Sequence, residues 1–428
     1  MYDDHLDEQT RRELNARQRA GLVTDEFIKA GLGGAVEPPS LTDHEINRKY
    51  ERGEIRIVTE QGRYPLDSIS NMLSGKNYKL DPDYQRRRRW DVTQKSRLIE
   101  SFIMNVPVPP VFLYEWDFNQ YEVMDGLQRM TAVREFYEDA FALTGLEYWQ
   151  ELEGRRYADL PSRIKAGIDR RYVSSIILLR ETSHGDEDPE QLKRFVFGRI
   201  NTGGVKLTDQ ELRNALYDGP MNRLCKELSA WPALRAMWGI PQNVEELMDA
   251  GEVIIPDESM LDFEVESGGQ VDPVPRIYRE MADVELVLRF FANRQRMLLY
   301  RDNLRDYLDE YLKAANKYEE HTLSELRVTF EETMNLALDL FGDHAFQRRA
   351  NRKWRTVPSL SIYDALTNVL SRLLPSSDKL RANRQSILDH LDEFYEQNAR
   401  KFNLRGQTRT DLMDREILFE GFLRSFID

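Results

Sequence analysis

Short β-rich runs alternate with capped amphipathic stretches between residues 55 and 217, and beyond residue 276 only the amphipathic spacing continues. That change of period constrains the fold most, and it predicts an α+β domain followed by a mainly α-helical one. Asp91 and Gln94 can cap each other, and Leu98, Ile99, Phe102 and Ile103 recur on one face, so a helix of about three turns is expected there. Val106–Pro107 ends it, because the residue before proline is pushed out of the helical region. Val111–Glu115 and Gln120–Met124 read as a hairpin around Trp116–Asn119. Asp125–Gly126 then breaks the second strand, and a helix follows with Met130, Val133, Phe136 and Tyr137 on its buried side. Val173–Arg180 reads as a buried strand. Pro189 suits the first turn of a helix carrying Leu192, Phe195, Val196 and Ile200. Thr208 and Glu211 form a T-x-x-E capping box for a helix through Leu216.

Residues 1–54 read as an N-terminal helical arm, 55–217 as the α+β domain and 218–275 as a connection. Residues 276–428 read as the helical domain, with helical spacing over Met281–Ala292, Leu298–Tyr318, Thr322–Phe341, Ser361–Leu374 and Arg384–Phe402. No apolar run approaches the ~18 residues of a membrane span, so no membrane partner is expected. The charged first twenty residues lack the apolar core of a secretory signal, which points to the cytoplasm. A single cysteine, Cys225, excludes intrachain disulfides and Cys-built metal sites, and it reads as a packed thiol.

The chain carries 74 acidic and 60 basic residues, a net charge of −14, which argues against a broadly basic nucleic-acid binder. Ten of the carboxylates fall between Gly239 and Pro275, a stretch with no Lys or Arg; without them the balance is 64 against 60, a net of −4. The bland reading of that stretch is a solvated connection, and the sharper one an acidic flap that mimics or excludes nucleic acid. Two basic clusters oppose it: Arg86, Arg87, Arg88 and Arg89, then Arg348, Arg349, Arg352, Lys353 and Arg355 around Trp354. Either could grip DNA phosphates through guanidinium forks, and either could be a solvated surface.

Chemistry concentrates in YEVMDGLQRMTAV, residues 121–133. A strand ends at Asp125, Gly126 permits a sharp turn, and Gln128 and Arg129 open a helix whose unpaired amides and positive dipole end favour an anion. Asp125 would repel a phosphate unless a divalent cation or a nucleotide hydroxyl lies between them. The bland alternative is that Asp125 caps the helix and Arg129 pairs with it. Tyr84, Gln85 and Arg86 precede a second helix start, and Asn201 and Thr202 a third, so the three starts would suit one shared anion pocket.

Tyr84–Gln85–Arg86 … Trp90, Pro107–Val108–Pro109, Asp125–Gly126–Leu127–Gln128–Arg129 and Arg199–Ile200–Asn201 … Leu207–Thr208 … Glu211–Leu212–Arg213–Asn214 occur in order. Together they resemble the bacterial domain family marked by a D-G-Q-Q-R motif, found at the N-terminus of GmrSD-type modification-dependent restriction systems and of the phosphorothioate-sensing protein SspE. The resemblance implies a ParB/sulfiredoxin-like domain that binds, and often hydrolyses, a nucleoside triphosphate with Mg2+ while sensing modified DNA. It carries Asp125, Gln128 and Arg129 over as catalytic residues, and Tyr84, Gln85, Arg86, Gly126, Asn201 and Thr202 as nucleotide-binding ones. It further implies an anti-phage role, DNA contact through the two arginine clusters, and a separate effector protein; a homo-oligomer is compatible with it. Leu127 departs from the family, which usually has Gln there, and this puts nucleotide choice or hydrolysis in question.

Cleaving relatives carry a histidine-centred HNH metal site in a second domain. The six histidines here (His5, His44, His184, His321, His344, His390) are scattered, so no such nuclease and no metal site is expected in this chain. Neither a P-loop nor a G-x-S-x-G elbow occurs. Three readings follow: an NTP-hydrolysing sensor or regulator, a non-hydrolysing ParB-like adaptor, and a stand-alone ParB-like nuclease.

Overall fold

The computed structural model describes residues 21–28, 42–52, 59–79, 90–179, 196, 199, 208–246, 275–299, 303–350, 352–355, 357–403 and 409–427. These fall into two compact units, one within 38–216 and the other joining 21–28 to the described part of 217–428. The first is α+β and the second mainly helical, as the change of period predicts.

In the α+β unit, α1 (Asp43–Arg52) precedes β1 (Thr59–Pro65), α2 (Ile69–Ser74) and β2 (Tyr78–Lys79). Next come α3 (Val92–Met104), the hairpin of β3 (Val111–Asp117) and β4 (Gln120–Asp125), and α4 (Leu127–Tyr137). Then α5 (Ser162–Ile168) leads to β5 (Tyr172–Leu178), and α6 (Asp209–Leu216) closes the unit. The strands form one mixed sheet ordered β1-β5-β3-β4-β2. β3 runs parallel to β5 and antiparallel to β4, with Leu113 opposite Val123 and Phe112 opposite Asp125.

Period-2 alternation turns Val111, Leu113, Val123, Val173 and Ile177 to one face, where they form a single core with residues of α2, α3, α4 and α5. Removing each such aliphatic side chain from water contributes about 1.5–3 kcal/mol. α3 begins as its sequence predicts: Asp91 accepts from the Gln94 amide at 2.7 Å, and the Gln94 side chain accepts from the Asp91 amide at 3.1 Å. It ends at Asn105, a left-handed residue (φ 60°), just before Val106–Pro107. β3 runs two residues further than the hydrophobic pattern alone suggests, since pairing continues up to the turn at Phe118–Asn119, and β4 one residue further at its other end, where Asp125 pairs with Phe112. Glu100 on α3 is buried, and its carboxylate accepts the amides of Glu147 (3.1 Å), Tyr148 (2.8 Å) and Trp149 (2.8 Å), pinning that loop.

The helical unit contains α7 (Pro220–Leu228), α8 (Pro232–Met237), α9 (Ala282–Leu299), α10 (Leu304–Ala315) and α11 (Glu320–Phe341). A small hairpin follows, β6 (Arg349–Ala350) and β7 (Lys353–Trp354), then α12 (Leu360–Leu373), α13 (Arg384–Gln397) and α14 (Arg409–Arg424). Residues 218–246, placed by sequence in the connection, thus include two helices of this unit; the stretch 247–274, with most of the acidic residues, lies outside the described residues. Cys225 is packed in α7, where burial pushes its thiol well up.

Phe290 and Phe291 on α9 meet Phe330 on α11, with ring centroids 5.1 and 5.9 Å apart. The same helices bury charge. Arg289 donates from Nε to Asp364 Oδ1 at 3.0 Å and from Nη2 to Oδ2, and Asn293 Nδ2 donates to Oδ1 at 2.9 Å. Arg294 holds Glu26 through two bonds of 2.8 Å, both side chains being almost wholly buried, so residues 21–28 pack into this unit. A fully buried charge is tolerated only when paired in this way.

Candidate functional site

β4 delivers Asp125 to the end of the sheet, and α4 starts two residues later. Gly126 makes the turn at φ 96°, ψ 7°. A Cβ there would lie 2.5 Å from Val111 Cγ1 and 3.0 Å from Arg129 Nη2, so both backbone conformation and space call for glycine. Gly126 is the N-cap of α4 and provides no side-chain acceptor to its first turn. The other two helix starts singled out by sequence differ. Asp91 occupies that of α3, while at α6 Thr208 Oγ1 accepts the Glu211 amide at 3.2 Å and Glu211 accepts the Thr208 amide at 2.6 Å. Both therefore carry a carboxylate of their own, which competes with an incoming anion. The start of α4 carries none in that role.

Three side chains frame this start. Gln128 Oε1 accepts the Trp90 amide at 3.2 Å, which ties the beginning of α4 to the residue before the α3 cap. Arg129 donates from Nη2 to Asp125 Oδ2 at 2.6 Å and from Nη1 to the Pro109 carbonyl at 2.5 Å. Its guanidinium thus bridges strand end and Pro107–Pro109 loop, with the Arg129 side chain 12% and the Asp125 side chain 39% exposed. Asp125 remains within reach of solvent while Arg129 is largely enclosed. Leu127 points the other way, into the core beneath the sheet, only 8% exposed. Position 127 is thereby an interior position in this chain.

The structure brings Asp125, Gly126, Gln128 and Arg129 together. Tyr84, Gln85, Arg86, Arg87, Arg88, Arg89, Asn201 and Thr202 lie outside the described residues, as does the helix expected after Pro189 except at Val196 and Arg199, which are helical. Arg348, Arg349 and Arg352 belong to the helical unit, on and beside the β6–β7 hairpin. Sequence reasoning did not identify the Pro109 carbonyl or the Trp90 amide as partners. Both residues sit in the ordered motifs, but a backbone group leaves no mark in residue identity.

A strand end feeding a helix start without a side-chain cap leaves the first-turn amides of α4 open to an acceptor from outside the helix. Residues 69–217 match the family described as "GmrSD restriction endonuclease, N-terminal domain". The match covers about a third of the 428 residues, and over that stretch the chain is similar to the N-terminal domain of GmrSD-type restriction endonucleases. No curated protein and no solved structure matches it.

Proposed function

We propose that this chain is a nucleotide-binding sensor or regulator subunit of a modification-dependent restriction or anti-phage system, one that contacts DNA and acts with a separate effector. The observation that carries the reading is the open start of α4, capped by Gly126 with no side chain, beside the solvent-accessible carboxylate of Asp125. A triphosphate would seat its terminal oxygens on the first-turn amides of α4, where the helix dipole favours negative charge. Mg2+ fits the donor set: it is commonly held by one or two carboxylates plus substrate phosphates, and Asp125 supplies one carboxylate at the right end of the sheet. Bound there, the cation would offset the repulsion between Asp125 and phosphate. Arg129 would hold Asp125 and the Pro109 carbonyl in register, and Gln128 would hold the Trp90 backbone against the site. Arg87, Arg88 and Arg89 would provide DNA contact from the α+β unit. Nucleotide would favour one arrangement of the protein, and hydrolysis would release it.

A second reading, a non-hydrolysing ParB-like adaptor, is favoured by one specific observation. The Arg129 guanidinium already serves Asp125 and the Pro109 carbonyl and is only 12% exposed, which leaves few of its N–H groups to stabilise charge developing on a transferred phosphoryl group.

Binding of each of four nucleoside triphosphates to the full chain, followed by phosphate release with and without duplex DNA, separates the two. Tight Mg2+-dependent binding with turnover, both lost in Asp125→Ala, supports the sensor reading. Binding without turnover supports the adaptor. No binding of any triphosphate refutes the sensor reading and leaves the adaptor only as a DNA- or protein-binding one, which absence of duplex binding would limit to protein. Metal-dependent nicking by the chain alone would replace both with a ParB-like nuclease.

A further inference from the structure

The β6–β7 hairpin divides its basic residues between two tasks. Arg349 stands opposite Trp354 and Ala350 opposite Lys353, and the Arg355 amide donates to the Arg348 carbonyl at 2.8 Å, which extends the ladder by one pair. Alternation therefore puts Arg348, Lys353 and Arg355 on one face of the ribbon and Arg349 and Trp354 on the other. The second face is a brace. Arg349 donates from Nη1 to the Leu388 carbonyl of α13 at 2.7 Å, lies 3.4 Å from Asp392, and covers the Trp354 ring at 5.3 Å. Trp354 stacks on His344 at 5.4 Å, and the Arg352 amide donates to Asp392. Arg349, placed by sequence among the DNA contacts, is thus committed to holding the hairpin against α13.

The remaining cations are presented outward. Arg352 sits at the tip in the left-handed conformation (φ 59°), and Arg352, Lys353 and Arg355 are exposed. Among the described residues no carboxylate pairs with these three side chains. Arg348 and Arg355 stand opposite each other across the ladder, and like charges so placed repel. Burial, and then the neighbouring Arg355, lower the affinity of Arg348 for its proton. Asp392 is engaged by the Arg349 side chain and by the Arg352 backbone amide, on the side of the hairpin that meets α13.

We propose that the β6–β7 hairpin is a second nucleic-acid contact, in which Arg352, Lys353 and Arg355 hold the phosphate backbone of duplex DNA and Arg349, Trp354 and Asp392 set their position. This rests on the reading of the chain as a DNA-contacting restriction-system protein. A two-stranded ribbon is narrow enough to enter the major groove, and its outward cations would then meet the phosphates flanking that groove.

The test uses the full chain and a plain 24-base-pair duplex, followed by fluorescence anisotropy from ~50 to ~200 mM salt. Each phosphate contact contributes about −0.9 to the slope of log affinity against log salt. The triple variant Arg352→Ala/Lys353→Ala/Arg355→Ala should bind ~10- to 100-fold more weakly at the lower salt and flatten the slope by about 2–3. Arg352→Lys/Arg355→Lys, which keeps both charges, should retain most of the slope. An unchanged slope in the triple variant, with thermal unfolding as in wild type, overturns the hairpin assignment, while a steep wild-type slope and intact nucleotide binding in the same preparation leave the proposed function standing. A wild-type chain that binds nucleotide but shows no salt-dependent DNA affinity overturns the hairpin proposal together with DNA contact. Equal loss of binding to duplex and to phosphatidylglycerol vesicles makes the hairpin a general polyanion surface and overturns its assignment to nucleic acid.

Discussion

Substituting Gly126 by alanine imposes two separable costs. The residue sits at φ 96°, where an L side chain is disfavoured by roughly 1–2 kcal/mol. The new Cβ would also lie 2.5 Å from Val111 Cγ1, and Val111 is fully buried between strand and helix. Forcing a methyl group into a packed core typically costs about 1–3 kcal/mol. Together they predict a loss of about 2–5 kcal/mol, a large part of the roughly 5–15 kcal/mol that holds a domain folded. Because the chain has two units, one unfolding midpoint would mix them, so the assay is hydrogen exchange of the α4 amides as a function of urea, which reads this unit alone. Combining Gly126→Ala with Val111→Ala removes the collision but leaves the dihedral cost, and the two changes should be non-additive by about 1–3 kcal/mol. Additive effects, or a Gly126→Ala loss below about 0.5 kcal/mol, would refute the claim that this turn requires glycine.

Two further outcomes follow from buried charge. Burial pushes the Glu100 carboxyl up, yet the amides of Trp149, Tyr148 and Glu147, with Arg97 nearby, bring it below the ordinary glutamate value. Its contribution should be complete above the ordinary range, about pH 4.3, and be lost as pH falls through the lower folded-state value. Glu100→Ala should remove this pH dependence and cost about 3 kcal/mol, read by exchange of the 147–149 amides; wild-type protection in the variant would contradict it. Asp364→Ala should destabilise the helical unit by about 3–5 kcal/mol, because it leaves Arg289 buried with only Glu285, at 3.5 Å. Loss of less than about 1 kcal/mol of exchange protection at the α9 and α12 amides, followed as a function of urea, would show that the network relaxes around the loss.

What sequence reveals here is what neighbours in the chain decide. The Asp91–Gln94 and Thr208–Glu211 caps, the stop before Val106–Pro107 and the turn at Gly126 all depend on residues within four positions, and all occur as read, with the left-handed Asn105 added by the structure. The i,i+4 pair of Asp125 and Arg129 was legible for the same reason, as the bland alternative to free phosphate-binding groups. The Pro109 carbonyl, twenty positions from Arg129, was not. The β6–β7 hairpin escaped because two-residue strands have no period to detect. Arg289, Arg294 and Arg296 look like the solvated side of a helix, since charge ordinarily marks the surface. They are interior because Asp364 and Glu26, 75 and 268 positions from Arg289 and Arg294, come to meet them.

The Glu26–Arg294 pair also fixes an order of events during synthesis. The strand-bearing unit is spliced into the other between residues 28 and 217, so the helical unit is assembled from pieces on both sides of an insert. A ribosome emits the whole insert before Arg294 exists to receive Glu26, and the insert can fold on the tether first. The strand-bearing unit would therefore be complete while the helical one still waits for its core. A fragment beginning at residue 217 would bury an arginine with no acid to answer it.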